Sequence, residues 1–122
     1  MQWQERGVGC VAMPVKYAFH SPQMQPYSDD LARSLGSVEA RHERIPIVST
    51  VLGRAIHGEE MDAAYWGRNI RQTVMFQAAV QAAARQGRDF IEIGPHPVLV
   101  SAIGECLSAE SNPCLLYTSR CV

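Results

Sequence analysis

The sequence predicts an α/β fold with a largely parallel sheet, on two observations. Two short apolar runs, residues 45–51 (IPIVSTV) and 90–93 (FIEI), have the composition of buried strands. Between and beyond them lie segments whose apolar residues recur at helical spacing. Helices that alternate with short apolar strands are typical of α/β domains. The chain has 122 residues, enough for one domain.

The first half of the chain predicts an extended segment and then a helix. Residues 7–18 are mostly apolar and are expected to be extended, with an interruption at Pro14. Ser21 followed by Pro22 predicts a helix start, and Pro26 should shift or bend it. The apolar positions of this helix are Leu31, Ala32, Leu35 and Val38.

The second half predicts turns, two helices and a short strand. Gly53 and Gly58 mark turns. Residues 74–86 form the clearest helix, which Gly87 should end. Its apolar stripe is Phe76, Ala79, Val80 and Ala83. After the strand at 90–93, a tight turn at 94–97 leads into a last helix over 98–107.

Composition excludes several classes of protein. The chain is 47% hydrophobic and 19% charged, which excludes an intrinsically disordered chain. Its net charge is -1 and it has no basic stripe, so no nucleic-acid partner is expected. Its apolar runs fall short of the ~20 residues of a membrane span. The N-terminal residues lack the pattern of a signal peptide, so we expect a cytoplasmic protein without a membrane partner.

The four cysteines predict neither a disulfide framework nor a metal site. They are Cys10, Cys106, Cys114 and Cys121, and none belongs to a CxxC pair. We therefore expect free thiols in a reducing compartment and no bound metal.

The last nine residues, CLLYTSRCV, are interpreted as a translated sequencing-adapter tail. They can be encoded by TGT CTC TTA TAC ACA TCT AGA TGT GTA, a transposon-end adapter running into its own reverse complement, with a stop codon next in frame. We therefore leave residues 114–122 out of the fold prediction. The alternative is a genuine C-terminal strand, which LLYTS would suit by propensity.

Three segments together resemble one enzyme family. They are VKYAFHSPQM (residues 15–24), YWGRNIRQTVMF (65–76) and FIEIGPHPVL (90–99). Their order and spacing resemble the acyltransferase domains of polyketide synthases and the related malonyl-CoA:acyl-carrier-protein transacylases. The resemblance implies an α/β-hydrolase-like large subdomain with a ferredoxin-like small subdomain. Residues 1–18 would end the small subdomain, and residues 19–113 would form the C-terminal part of the large one.

The resemblance implies a chemistry and its residues. In this family a serine in a GHSxG motif takes an acyl group from coenzyme A and passes it to the phosphopantetheine arm of an acyl carrier protein. His20 matches the family's general base, which activates the weakly nucleophilic serine. Asn69 matches the residue whose backbone carbonyl orients that histidine. Other domains of a multidomain synthase are further expected partners, and no bound cofactor is implied.

The residues before His20 bear on the choice of substrate. In the family, HAFH is typical of malonyl-loading domains and YASH of methylmalonyl-loading domains. Here Tyr17 resembles the second type and Phe19 the first. Because a bulky Phe19 would crowd an α-methyl branch, we favour a malonyl-type extender unit. Phe19 could instead be a core residue.

The 122 residues contain no GHSxG motif, so they lack the nucleophilic serine. We expect the chain alone to be inactive and to fold poorly, because part of its sheet would lack neighbours. His96 is expected to be structural or on the surface. Two alternatives stay open: a non-catalytic structural or interaction remnant of a synthase, and a serine hydrolase of related fold, which an acidic partner of the histidine would favour.

Overall fold

The computed structural model describes residues 2–9, 16–86, 89–94, 96–108 and 115–120. The helices are α1 (Gln2–Glu5), α2 (Gln25–Leu35), α3 (Ala63–Arg71), α4 (Phe76–Ala84) and α5 (Val100–Ser108). The strands are β1 (Ile47–Ser49), β2 (Arg54–Ile56), β3 (Asp89–Gly94) and β4 (Leu115–Arg120). Short 3₁₀ helices cover Pro22–Met24 and Gly58–Glu60. This mixture of helices and strands confirms the α/β class.

The start of α2 follows the sequence signals. The Oγ atom of Ser21 accepts a hydrogen bond from the backbone N–H of Gln23 at 3.3 Å, as an N-cap does. Pro22 opens the 3₁₀ helix, and α2 begins only at Gln25 with Pro26 in its first turn. The predicted cap and the displaced helix start are confirmed. Half of the predicted extended segment, residues 10–15 with Pro14, lies outside the described residues.

The strand predicted at 45–51 is shorter than expected and belongs to an antiparallel hairpin. β1 pairs with β2, so that Ile47 lies opposite Ile56. The connection is tight because Gly53 adopts a φ of 66°, which a glycine adopts without strain. Strands joined by so short a turn can only run antiparallel. The expectation of a largely parallel sheet is therefore wrong for this pair.

The described residues bury two apolar clusters. The first joins the hairpin to α3 through Val51, Ile56 and Tyr65. The second joins α4 to α5 through Val80, Ile103 and Leu107. Ala79 and Val80 of the predicted stripe are buried, so the α4 prediction is confirmed.

Glycine allows α2 and α3 to approach each other closely. A Cβ atom on Gly67 would lie 2.9 Å from the backbone oxygen of Ser28. This is closer than real Cβ contacts allow, so a larger residue would push the two helices apart. The contact sets the position of α3, and α3 carries the predicted YWGRNIR motif.

β3 has one covered and one open face. Phe90 packs on the α4–α5 cluster, while Ile91 and Ile93 alternate with it and are exposed. β4 pairs with β3 in parallel, with Asp89 opposite Leu115 and Gly94 opposite Arg120. Residues 115–120 thus form a strand, as the second interpretation of the last nine residues, a genuine C-terminal strand, predicts. A strand forms from β-prone residues whatever their origin, so the adapter interpretation stays a prediction.

Candidate active site

His20 has an unusual backbone conformation. Its φ is 61°, and among the described residues it is the non-glycine residue with a positive φ. Such a conformation costs of order 1–3 kcal/mol and persists where the surroundings impose it, often at functional sites. Here the end of α3 imposes it, since the backbone N–H of His20 donates to the carbonyl of Ile70 at 3.0 Å.

A second carbonyl at the end of α3 orients the imidazole ring of His20. Its Nδ1 atom lies 2.9 Å from the backbone oxygen of Gln72. A carbonyl can only accept, so Nδ1 carries the ring proton in this hydrogen bond. In the neutral ring, Nε2 then keeps its lone pair and can accept a proton.

The carbonyl partner differs from the prediction. Asn69 was expected to provide it, and Gln72 provides it instead. Asn69 lies inside α3, where carbonyl groups point along the helix axis toward the next turn. Gln72 is the C-cap with φ -83° and ψ 159°, an extended conformation that turns its carbonyl away from the helix. Asn69 still lies beside His20, in the wall of the cavity described next.

A cavity of about 230 Å³ adjoins His20. Its walls come from the end of α3, the β1–β2 turn and the loop before α4. The lining residues are His20, Thr50, Val51, Asn69, Gln72, Thr73 and Val74. The backbone N–H of Met75 donates to the carbonyl of Thr50 at 2.7 Å and ties two of these walls together. Sequence reasoning missed Thr50, Val51 and Gln72, since neither a wall residue nor a backbone acceptor has a side-chain signature.

Ser49 fixes the wall formed by the hairpin turn. Only 2% of Ser49 is exposed, and its Oγ atom lies 2.9 Å from the hydroxyl of Tyr65. The same oxygen accepts from the backbone N–H groups of Val51 at 3.1 Å and Leu52 at 3.2 Å. One buried hydroxyl therefore links α3 to the turn beside the cavity.

Tyr17 and Phe19 form an aromatic pair next to His20. Their ring centroids are 4.7 Å apart, and the Phe19 ring lies 6.4 Å from the His20 ring. Phe19 is 50% exposed and Tyr17 is 62% exposed. Phe19 is therefore not a core residue in these 122 residues, and both rings are available at the approach to His20.

His96 lies apart from this cavity, and the hydroxyl of Ser21 is already hydrogen-bonded within its own segment. His96 is exposed and borders a separate hollow beside β3. The Ser21 hydroxyl donates to the carbonyl of Ala18 at 2.7 Å in addition to capping the helix. It is engaged locally, as expected for a residue that is not the nucleophile.

Comparison with known proteins assigns the family. The family model described as "Acyl transferase domain" matches residues 1–117. The chain belongs to the acyl transferase domain family. It is a fragment of a polyketide synthase acyltransferase domain, a family of transferases. The predicted resemblance is confirmed.

Individual relatives agree with this assignment. Erythronolide synthase EryA2 of Saccharopolyspora erythraea is 46% identical over 92 residues, which are 75% of this chain and 3% of that protein. Spectinabilin polyketide synthase system protein NorC of Streptomyces orinoci is 38% identical over 117 residues, 95% of this chain and 5% of that protein. The acyl transferase fragment therefore spans a small part of the curated relatives that it matches.

A solved structure has the same fold. The crystal structure of the acyltransferase domain from module 8 of the salinomycin polyketide synthase superposes with a TM-score of 0.89 at 32% identity. The alignment covers 98% of this chain and 28% of that one. Among the residues described for this acyl transferase fragment, the helices are all too short or too polar to cross a membrane.

Proposed function

We propose that this chain is the histidine-bearing part of an acyltransferase that moves a malonyl-type extender unit from coenzyme A to the phosphopantetheine arm of an acyl carrier protein. The setting would be polyketide or fatty acid biosynthesis, within a multidomain synthase in the cytoplasm. The observation that carries the proposal is the hydrogen bond from Nδ1 of His20 to the carbonyl of Gln72 at 2.9 Å. It leaves Nε2 as a proton acceptor on a residue that lines a cavity.

In the first half-reaction, His20 acts as general base for a serine. The serine oxygen attacks the thioester carbonyl of malonyl-CoA while its proton passes to Nε2 of His20. The tetrahedral intermediate then collapses, the C–S bond breaks, and Nε2–H returns the proton to the departing thiolate. The products are malonyl-serine and free coenzyme A.

The second half-reaction uses the same nitrogen. The phosphopantetheine thiol loses its proton to Nε2 and its sulfur attacks the malonyl-serine ester. The C–O bond to serine breaks, and the serine oxygen takes the proton back. The malonyl group leaves on the carrier protein, and His20 is again neutral with Nε2 free.

A carbonyl partner suits both steps. The carbonyl of Gln72 holds the ring by its Nδ1–H, so the tautomer and the orientation of Nε2 are set before substrate arrives. The hydrolase alternative would be favoured by an acidic partner, and among the described residues the Nδ1 partner of His20 is a carbonyl. This observation favours the transferase.

Phe19 and Tyr17 would select the extender unit. The aromatic pair stands at the approach to His20, where an α-carbon substituent of the acyl group would lie. One methyl group in such a pocket changes the transition-state free energy by about 1–3 kcal/mol. The bulk of Phe19 therefore biases the enzyme toward malonyl over methylmalonyl without an absolute choice.

The 122 residues alone should not catalyse the transfer. They contain no GHSxG motif, and a general base without its nucleophile forms no acyl-enzyme. Activity requires a chain that also carries the serine.

The test uses the complete domain. Long-read sequencing of the source DNA across both ends of this reading frame supplies the full coding sequence. The expressed domain is mixed with malonyl-CoA and a holo acyl carrier protein, and mass spectrometry follows the malonylated carrier. The variants are His20→Ala and, as a matched control for an exposed histidine, His96→Ala.

The proposal expects malonyl-carrier from the wild-type domain and from His96→Ala, and its near-complete loss in His20→Ala. Free malonate in place of malonyl-carrier would point to the hydrolase alternative. If the open reading frame has no GHSxG serine and its product forms no malonyl-carrier, the chain is a non-catalytic remnant of a synthase.

A further inference from the structure

A second group of histidines lies outside the candidate active site, in the segments just before β1 and just after β2. Four side chains from two segments of the chain converge there, and we name them the His–Glu cluster. Its members are His42, Glu43, His57 and Glu59. One nitrogen or oxygen from each lies within 4.8 Å of the others.

The distances within the cluster have the size of a coordination shell. Nδ1 of His57 is 3.1 Å from Oε1 of Glu43. Nδ1 of His42 is 3.3 Å from Oε1 of Glu59 and 3.6 Å from Oε2 of Glu43. Zinc bonds of 2.0–2.1 Å in a tetrahedron place neighbouring ligand atoms roughly 3.4 Å apart. These three donor pairs are therefore already near the spacing that a bound ion needs, and the remaining pairs lie within 4.8 Å.

The two imidazole rings distinguish this cluster from a common group of surface acids. Their centroids are 5.6 Å apart and their planes differ by 22°, and both present Nδ1 to the carboxylates. Imidazole nitrogen with carboxylate oxygen is a ligand set that zinc accepts. Two carboxylates and two neutral imidazoles also balance the charge of a divalent ion.

The backbone holds the two segments together without help from an ion. A Cβ atom on Gly58 would lie 2.1 Å from the backbone oxygen of Arg41, so only glycine allows this approach. The backbone N–H of Gly58 donates to Oε2 of Glu43 at 2.7 Å.

We propose that the His–Glu cluster binds a divalent transition-metal ion, with zinc as the fitting class. The side chains of His42, His57 and Glu59 are 68%, 71% and 53% exposed, so an ion can enter from solvent. A bound ion would join the segment before β1 to the turn after β2. Because the members of the cluster do not line the cavity beside His20, the role of the ion would be structural and independent of the proposed acyl transfer.

The test measures zinc binding to the untagged complete acyltransferase domain, in which these 122 residues have the rest of their sheet. The chain is stripped with a chelator and its thiols are alkylated, because cysteine would compete for zinc. Competition with a chromophoric chelator gives the affinity and stoichiometry for Zn²⁺. The cluster variants are His57→Ala and Glu59→Gln, and the matched controls are His96→Ala and Glu39→Gln. Glu59 and Glu39 are both exposed, so neither substitution to glutamine should disturb folding.

We expect one Zn²⁺ per chain, an affinity at least tenfold weaker in either cluster variant, and unchanged binding in both controls. Co²⁺ in place of Zn²⁺ should give the visible absorption of a four-coordinate ion, which Glu59→Gln weakens. Equal binding by Glu59→Gln and Glu39→Gln, or no binding below millimolar Zn²⁺, would overturn the proposal. Neither result bears on acyl transfer, which the His20 experiment tests separately.

Discussion

The hydroxyl of Ser49 should contribute more to stability than any other single hydrogen-bonding side-chain group near the cavity. Ser49→Ala removes one oxygen and deprives three groups of their partner: the Tyr65 hydroxyl and the N–H groups of Val51 and Leu52. Leu52 is half-buried and can reach water, whereas Tyr65 and Val51 are 5% and 7% exposed. Each buried group left unpaired costs about 1–3 kcal/mol. For these two buried groups we therefore expect a loss of about 2–6 kcal/mol in the free energy of unfolding.

Tyr65→Phe separates the contribution of the tyrosine hydroxyl from the contributions of the two backbone N–H groups. It removes the tyrosine hydroxyl and leaves Ser49 with its two N–H donors, so the expected cost is about 1 kcal/mol, that of one net hydrogen bond. In the Ser49→Ala background the same change removes an orphaned hydroxyl, so it should cost nothing or stabilise. The two substitutions should therefore be strongly non-additive.

Urea unfolding of the complete domain, followed by circular dichroism, measures this double-mutant cycle. Ser37→Ala, at an exposed serine after α2, is the control and should change stability by less than about 0.5 kcal/mol. Additive effects of Ser49→Ala and Tyr65→Phe would contradict this prediction, because they would mean that the two hydroxyls do not share a hydrogen bond.

Three further substitutions probe other parts of the chain. Gly58→Ala should cost about 1–3 kcal/mol in urea unfolding, because a Cβ atom would meet the backbone of Arg41 at 2.1 Å. Glu92→Gln should lower the helix content seen by circular dichroism, since the Glu92 carboxylate accepts from the N–H groups of Val98 at 2.8 Å and Leu99 at 3.1 Å before α5. Phe19→Ala in the complete domain should raise the kcat/KM ratio for methylmalonyl-CoA over malonyl-CoA by roughly 5- to 150-fold; an unchanged ratio would assign Phe19 no part in selection.

The elements that follow from local sequence were predictable. The cap at Ser21 depends on its own neighbours, and the stripe of α4 depends on a period of 3.6 residues. The strand β2 was missed because three residues beginning with Arg54 carry no alternating pattern of their own. Its pairing depends on the turn at Gly53 and on packing against α3.

The histidine of the candidate active site was predictable from the sequence, but the carbonyl that orients its ring was not. His20 stood out through the motif around it, and the structure gives it a strained backbone beside a cavity. The Gln72 carbonyl could not be found from residue types, because every residue has one and only the end of α3 aims this one at the ring. The His–Glu cluster was missed for a similar reason, since Glu43 and His57 are 14 positions apart and meet only in the folded chain.

The rate of serine acylation in the complete domain shows whether His20 is the general base. Rapid-quench mixing with malonyl-CoA should show acylation of His20→Ala slowed by about 10²–10⁴-fold. Added imidazole should restore part of that rate, because the substitution leaves room beside the cavity for a small base. If His20→Ala instead acylates at the wild-type rate, or if its slow rate does not respond to imidazole, His20 is not the base.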